Sequence, residues 1–307
     1  MNCSKCLQKA VFSSPALCKN HFLAYFESKV KETIQKYKLL PNKKIKLVVA
    51  CSGGKDSTVA LYLLNKWGYK PTALAIDEGI KGYRPHTLLD LQKFCRENKI
   101  PLQIYSFQKE FGASLDKILK KLGGHPCYAC GILRRYLLNQ KSRSFDVIAT
   151  GHNLDDESQS ILMNLCNGNL ALSANLGPKT GAFSHKKFTE RIKPLYFCSE
   201  KEVMAYSLLK EFEVSYHECP YAYLSFRGKV RDGLNELELS EKNVNERLVK
   251  NFIGLLPAIR KKYSSAKEPQ ACRICGEAGR QEICRACQIV EQLVGNKTTV
   301  LKQQTSC

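Results

Sequence analysis

The stretch Val48–Leu64, VVACSGGKDSTVALYLL, decides the fold. It runs from β-formers through two adjacent glycines into an apolar helical pattern, so a strand, a tight turn and a helix are expected in that order. A glycine-rich turn of this kind cradles phosphate on backbone N–H groups and the helix N-terminus. The Walker A loop needs G-x-x-x-x-G-K-[ST], and this turn is too short for it. A phosphate-like group other than the γ-phosphate of an ordinary NTPase is therefore expected here.

Working outward, strands are expected at 45–51, 71–77, 102–107 and 145–151, with a weaker one at 191–197 because it contains Pro194. Between the first two, Val59, Leu63, Leu64 and Trp67 make one apolar helical face, and HTLLDLQKFCRENK and SEKEVMAYSLLKEF repeat the pattern. Strand and helix in alternation predict an α/β class, a doubly wound parallel sheet of Rossmann-like type. CSGGKDS, IDEGIKGYR and TGHNLDDE then fall at strand ends, where such sheets bind ligands. Three segments are expected: a Cys-rich module over 1–26, a catalytic domain over 27–267, and a second Cys-rich segment with a tail over 268–307. The polar stretch SSAKEPQ would be the linker before the last.

The 307 residues carry 48 Lys+Arg against 28 Asp+Glu, a net charge of +20, which favours a polyanionic partner such as nucleic acid. No apolar run approaches the ~18 residues of a membrane span, and the N-terminus lacks a signal-peptide core, so a cytoplasmic protein is expected. Fifteen cysteines in a reducing compartment argue for metal ligation or thiol chemistry before disulfides.

In the glycine turn, Gly53 and Gly54 admit a phosphate without a Cβ in the way, Ser52 and Ser57 offer hydroxyls, and Lys55 a positive charge. Asp56 suits the helix start. The plainer alternative is a well-capped strand-to-helix turn. Asp155 and Asp156 read either as N-terminal acids of a helix or as carboxylates that bind Mg²⁺ or steer a substrate base. Arg134 and Arg135, on a helix expected to open at Gly131, are either phosphate forks or ordinary surface arginines.

Cys3, Cys6, Cys18 and His21 form C-x₂-C-x₁₁-C-x₂-H, and Cys272, Cys275, Cys284 and Cys287 form C-x₂-C-x₈-C-x₂-C. Both read as closed structural zinc sites, a knuckle and a ribbon, so two Zn²⁺ are expected. Cys127 and Cys130 repeat the C-x₂-C pair without a second pair nearby, and Cys219 is the natural third ligand. Three thiolates on a 4Fe–4S cluster leave one iron open to sulfide. A dithiol carrying sulfur as a persulfide, or an inert buried trio, are the alternatives. Cys51, Cys95, Cys166, Cys198 and Cys307 show no ligand pattern.

The short form SGGKDS resembles the PP-loop of ATP pyrophosphatases, which hold the β,γ-pyrophosphate of ATP and release it intact. With CYACG, GHNLDDE, KPL at Lys193–Leu195, the lone Cys219 and both Cys-rich modules, the chain resembles tRNA 2-thiouridine synthetases of the TtuA and cytosolic thiouridylase families over nearly its full length. The resemblance implies adenylation of a tRNA uridine at its C2 oxygen, followed by displacement of AMP by sulfide. It implies ATP contacts at Cys51 through Ser57, Ala75, Arg134 and Gly151, and a catalytic set of Cys127, Cys130, Cys219, Asp155 and Asp156. ATP, Mg²⁺, two Zn²⁺ and a 4Fe–4S cluster are the implied cofactors. The implied partners are tRNA and a ubiquitin-like sulfur carrier with a C-terminal thiocarboxylate, and similar enzymes are commonly homodimers. In TtuA enzymes the position of Arg134 is a lysine, so charge is retained here while a proton-transfer role is in doubt. DEGIKGYR and YLSFRGKVRDGLNELE look like the branch that thiolates the wobble uridine 34, which is favoured, whereas RRYLLN leans toward the T-loop uridine 54. A 2-thiocytidine synthetase, a zinc-dependent tRNA-binding protein without catalysis and a small-molecule amidating enzyme are weaker alternatives.

Overall fold

The computed structural model describes residues 1–180, 189–263, 270–279 and 281–294. The expected linker SSAKEPQ lies outside the described residues up to residue 269, with only Gln270 described, and the tail from 295 with Cys307 lies outside them as well. The chain opens with a hairpin, β1 (Phe12–Ser13) and β2 (Ala16–Leu17), that runs straight into α1 (Lys19–Lys36). Next come β3 (Leu47–Ala50), α2 (Lys55–Lys66), β4 (Thr72–Asp77), α3 (Arg84–Glu97) and β5 (Leu102–Ser106). Helices α4 (Phe107–Phe111), α5 (Leu115–Leu122) and α6 (Pro126–Lys141) lead to β6 (Val147–Thr150), α7 (Leu154–Cys166) and the short α8 (Leu170–Ser173). The remaining elements are β7 (Lys179–Thr180), β8 (Glu190–Ile192), α9 (Glu200–Leu209), α10 (Phe226–Ser240), α11 (Val244–Tyr263), β9 (Gln270–Ala271), β10 (Ala278–Gly279) and α12 (Arg285–Val294).

Six strands form one sheet in the order β5-β4-β3-β6-β8-β7, and all but β7 are parallel. The central strands β3, β4 and β6 are apolar on both faces, as a sheet covered on both sides requires. Leu47 and Val49 pack with Ala73, Ala75, Val147 and Ala149 on one face, while Val48 meets Leu74 and Ile148 on the other. From β3 the chain first moves outward through β4 to β5, then returns to pair β6 on the opposite side of β3. The switch point therefore lies between β3 and β6, and a ligand crevice opens beyond their carboxyl ends.

Two expectations shift. The last parallel strand is shorter than 191–197, because Pro194 cannot donate to the ladder and the chain turns after Ile192. The helix carrying Arg134 begins at Pro126 rather than Gly131, since proline at the first helical turn sacrifices no intrahelical bond. The C-x₂-C pair thus sits in the first turn of α6.

The expected boundary between residues 26 and 27 falls inside α1. Cys3, Leu17, Cys18, Phe22 and Phe26 share a single core with α2 and α9 on one face of the sheet. The C-terminal cysteines join Phe107, Phe111, Ile118, Leu133 and Leu137 in a second core. Both Cys-rich modules are thereby welded to the sheet domain. Phe26 is fully buried and stacks on Tyr206 at 4.6 Å. Phe26→Ala is expected to destabilise the protein by about 3–5 kcal/mol through the cavity it leaves, measured as a lowered urea midpoint.

Candidate functional site

The turn after β3 is held open by close backbone approaches. Gly53 has φ +81°, and a Cβ there would stand 2.1 Å from the Thr87 carbonyl oxygen. Gly151, at the end of β6, lies against the first turn of α2, where a Cβ would come within 2.6 Å of the Ser57 nitrogen. Inside the turn, the Ser52 N–H bonds to Ser57 Oγ at 3.2 Å, the Gly54 N–H to Ser52 Oγ at 3.3 Å, and Ser57 Oγ donates to the Gly54 carbonyl. No side chain caps α2, so its N-terminus faces the crevice. The Lys55 ammonium meets Glu200 Oε1 at 2.8 Å and Asp56 Oδ2 at 3.2 Å.

Across the switch point, Asn153 caps α7 in a reciprocal box with Asp156 and also donates to Asp56 Oδ1 at 3.0 Å. Asp155 accepts the Glu200 N–H at 2.7 Å and Asn245 Nδ2 at 3.3 Å. Loss of hydration, the largest cause in each case, pushes the pKa of Asp56, Asp155 and Asp156 above the usual carboxylate range. The charge of Asp156 adds to the rise on Asp56 and Asp155. Three crowded acids beside a phosphate loop are a donor set that a divalent cation would relieve. Mg²⁺ takes one or two carboxylates and keeps waters, so the three need not converge on one point. His152 lines the same crevice; lost hydration and the cations Lys193, Arg227, Arg134 and Arg191 push it down to about 3, so its imidazole is neutral. Beneath these groups Lys193 and Glu157 form a buried pair at 2.6 Å.

The cysteine trio sits on the β4 side. Cys127 lies at the surface and its thiol faces the Tyr221 carbonyl at 3.7 Å, while Cys130 and Cys219 are half-buried. All three are free thiols. Burial pushes Cys130 up to about 11 and also raises Cys219; Cys130 feels the charges of both partners and Cys219 that of Cys127. Arg134, one turn beyond Cys130, offsets both rises. Arg134 also reaches Glu78 Oε1 at 3.6 Å, and the other oxygen of Glu78 takes Arg84 Nε at 2.9 Å. Arg84 is buried and donates to the Ser52 carbonyl in the glycine turn, to the Ile76 carbonyl and to Thr87 Oγ1. A string of alternating charges therefore runs from the cysteines to the phosphate loop. Cys127, Cys130 and Cys219 are near enough for their charges to interact, with a guanidinium beside them. They are not among the sets whose ligand atoms all lie within 4.8 Å of one another. An anionic iron–sulfur cluster is the kind of group such a spaced trio could hold.

Two of the residues expected at the ATP site have buried side chains. Ala75 has no exposed surface in the middle of β4. The Cys51 thiol turns into the core and donates to the Val49 carbonyl at 3.3 Å, leaving only its backbone at the loop. Arg135 is not in the Glu78 string; its guanidinium covers Gly131. The sequence reading singled out no role for Glu78, Arg84, Glu200 or Arg227, although IDEGIKGYR placed the first two at a strand end.

The two outer cysteine sets are compact, each with its four ligand atoms within 4.8 Å of one another. Cys3 and Cys18 lie 3.4 Å from His21 Nδ1, and Cys6 lies 3.7 Å from Cys18. Cys272–Cys287 and Cys275–Cys284 are 3.8 and 3.7 Å apart. A tetrahedron with Zn–S of about 2.3 Å has S···S edges of about 3.8 Å and S···N edges of about 3.5 Å, so both sets fit that ion.

The family of ATP-binding PP-loop domains matches residues 23–234. A tRNA-5-methyluridine(54) 2-sulfurtransferase of Pyrococcus horikoshii is 36% identical over 94% of this chain and 93% of its own. Cytoplasmic tRNA 2-thiolation protein 1 of Drosophila melanogaster is 34% identical over 94% of this chain and 87% of its own. Among solved structures, the U34-tRNA thiolase NcsA from Methanococcus maripaludis with its 4Fe–4S cluster superimposes with a TM-score of 0.79 at 33% identity. That match covers 95% of this chain and 96% of the other.

Asp155 is raised to about 6, by lost hydration first and then by the Glu200 and Asp156 charges, against the bond from the Glu200 N–H. A folded value above the unfolded one means that its contribution to stability is full below the unfolded carboxylate range and is lost as pH rises through about 6. Subtracting the stability–pH curve of Asp155→Asn from that of the natural protein should show a fall between about pH 4 and 6; a flat difference curve would remove the assignment.

Proposed function

The chain belongs to the PP-loop family, in its branch of tRNA 2-sulfurtransferases, and from that premise we propose that it replaces the C2 oxygen of wobble uridine 34 in tRNA with sulfur. The observation that carries the reading is the chain Arg84–Glu78–Arg134, which runs from the PP-loop toward the cysteine trio. Activation and sulfur delivery must occur on the same carbon, so both functions have to share one opening.

In this reading Ser52, Gly53, Gly54, Lys55, Asp56 and Ser57 hold the β,γ-pyrophosphate of ATP, with Lys55 balancing its charge as it leaves. Attack of the uridine oxygen on the α-phosphorus releases pyrophosphate and turns that oxygen into a phosphate ester. Sulfide addition at C2 then expels AMP. Asp155 and Asp156 hold Mg²⁺ through carboxylate and water, and Arg134 and neutral His152 line the passage between the two ends. Cys127, Cys130 and Cys219 hold a 4Fe–4S cluster, which supplies an iron open to a sulfide ligand. The knuckle and ribbon cysteines hold two structural Zn²⁺. A thiocarboxylated ubiquitin-like carrier as sulfur source, a homodimeric assembly and a cytoplasmic location complete the reading. The U34 thiolase matched over 95% of the chain supports position 34, whereas the name of the Pyrococcus relative supports position 54 as the second reading.

Anaerobic incubation with tRNA transcript, Mg·ATP and sulfide, followed by nuclease digestion and mass spectrometry, is expected to give 2-thiouridine at position 34. Product at position 54 would overturn the wobble assignment alone, and no 2-thiouridine would overturn the activity. Cys219→Ala should abolish thiolation while tRNA binding stays within about threefold. Metal analysis of anaerobically purified protein should give about four irons and two zincs per chain.

A further inference from the structure

Large side chains open to solvent gather around the cysteine trio. Tyr128 follows Cys127 directly and is 56% exposed; Tyr223, four residues past Cys219, is 80% exposed; Phe226 opens α10 at 43%. Isolated exposed rings are ordinary, but the segment that carries Tyr223 is tightly bonded. The Ala222 N–H bonds to the Cys219 carbonyl at 2.8 Å, the Leu224 N–H to Tyr221 at 3.2 Å, and the Ser225 N–H to Ala222 at 3.0 Å. His125, at the start of α6, donates from Nε2 to the Leu224 carbonyl at 2.6 Å. Tyr221 in the same turn is tied down by a 2.9 Å bond from its hydroxyl to Asp116. Tyr223 makes no hydrogen bond with any other described residue. A well-braced turn therefore holds one tyrosine inward and presents another to solvent beside the thiols.

Two guanidinium groups stand on the same rim, each beside an acid. Arg227, next to Phe226, is anchored to Gln159 Oε1 at 3.1 Å and Ser160 Oγ at 3.0 Å and lies 3.5 Å from Asp156 Oδ1. Arg231, one turn on, pairs with Glu218 at 2.6 Å and Asp232 at 3.3 Å, exposed carboxylates that an arriving phosphate can replace. Rings beside guanidinium groups form a surface for an unpaired nucleic-acid strand, whose bases stack and whose phosphates pair. A base must also leave its stack before chemistry can reach its ring atoms.

We propose that Tyr223 and Tyr128 are stacking platforms for unpaired bases of the tRNA loop next to the target uridine, holding the loop open over the cysteine trio. This rests on the tRNA reading above. The two rings are specificity and positioning residues; the bonds that form and break remain those of the thiolation itself.

The test uses the full-length, cluster-loaded protein with inorganic sulfide as donor, so that no protein donor is present. Tyr223→Ala and Tyr128→Ala are each expected to weaken tRNA binding and raise the KM for tRNA roughly tenfold, the scale of one lost base stack, with the KM for ATP and iron content unchanged. Tyr223→Phe and Tyr128→Phe, which keep the ring, should stay within about twofold. In the natural protein, 2-aminopurine placed on either side of the target uridine should be quenched on binding, and Tyr223→Ala should remove the quench. Alanine variants that bind and turn over like the natural protein, phenylalanine variants that lose as much as alanine, or no quench in the natural complex would each overturn the platform. So would a defect that appears only when a protein sulfur donor replaces sulfide, which would assign the rings to that partner. Should Tyr128→Ala lose iron, Tyr223→Ala and the quench decide. Failure of the natural protein to bind tRNA would instead remove the tRNA reading, so the two failures are distinguishable.

Discussion

The crevice depends on one buried guanidinium. Arg84 donates to the Ser52 carbonyl after β3 and the Ile76 carbonyl in β4 and pairs its charge with the Glu78 carboxylate, and so ties two strand ends and the glycine turn into one piece. Its charge is tolerable in the interior because Glu78 lies 2.9 Å from Nε and the Ser52, Ile76 and Thr87 oxygens accept from its terminal nitrogens. Remove either partner and a bare charge is left inside, at a cost of about 3–5 kcal/mol. A lysine could not substitute, since a single ammonium cannot serve three acceptors in one plane. Glu78 then extends the same frame outward to Arg134 and the thiols.

Local chemistry was the legible part of the sequence. β3, β4, β5 and β6 stand where β-forming runs were read, and Gly53 of the loop was marked by needing no Cβ, which its approach to Thr87 now explains. Both four-ligand cysteine sets followed from spacing, because ligands two residues apart reach one ion whatever the surrounding fold. What escaped was long-range. Glu200 meets Lys55 across 145 residues, and Asn245 meets Asp155 across 90, through helices whose relative placement no local pattern encodes. Pairing of Glu78 with Arg84 escaped for another reason: both lie in one short segment, but a carboxylate and a guanidinium near a strand end read as surface charges until the turn buries them. Pro126 was a helix-start signal in the sequence, five residues before the expected opening at Gly131.

The modules at the two ends serve the same frame from opposite faces. The N-terminal set shares its core with α2, the helix that begins at the phosphate loop, and the C-terminal set shares one with α6, which carries Cys127 and Cys130. Neither module could bury enough apolar area alone, and each contributes cysteines to a core it also completes. Nucleotide end and sulfur end are thus each backed by a metal-type staple.

The resting pairing of Lys55 with Glu200 has a further bearing on what the loop will accept. An arriving anion finds this ammonium already matched by a carboxylate from α9, so occupancy is an exchange of counter-ions and not the capture of a bare charge. A singly charged solute gains little from that trade, because it restores only what it displaces. A chain of linked phosphates brings several charges and reaches the open α2 N-terminus as well, so it gains more from the exchange than a small anion does.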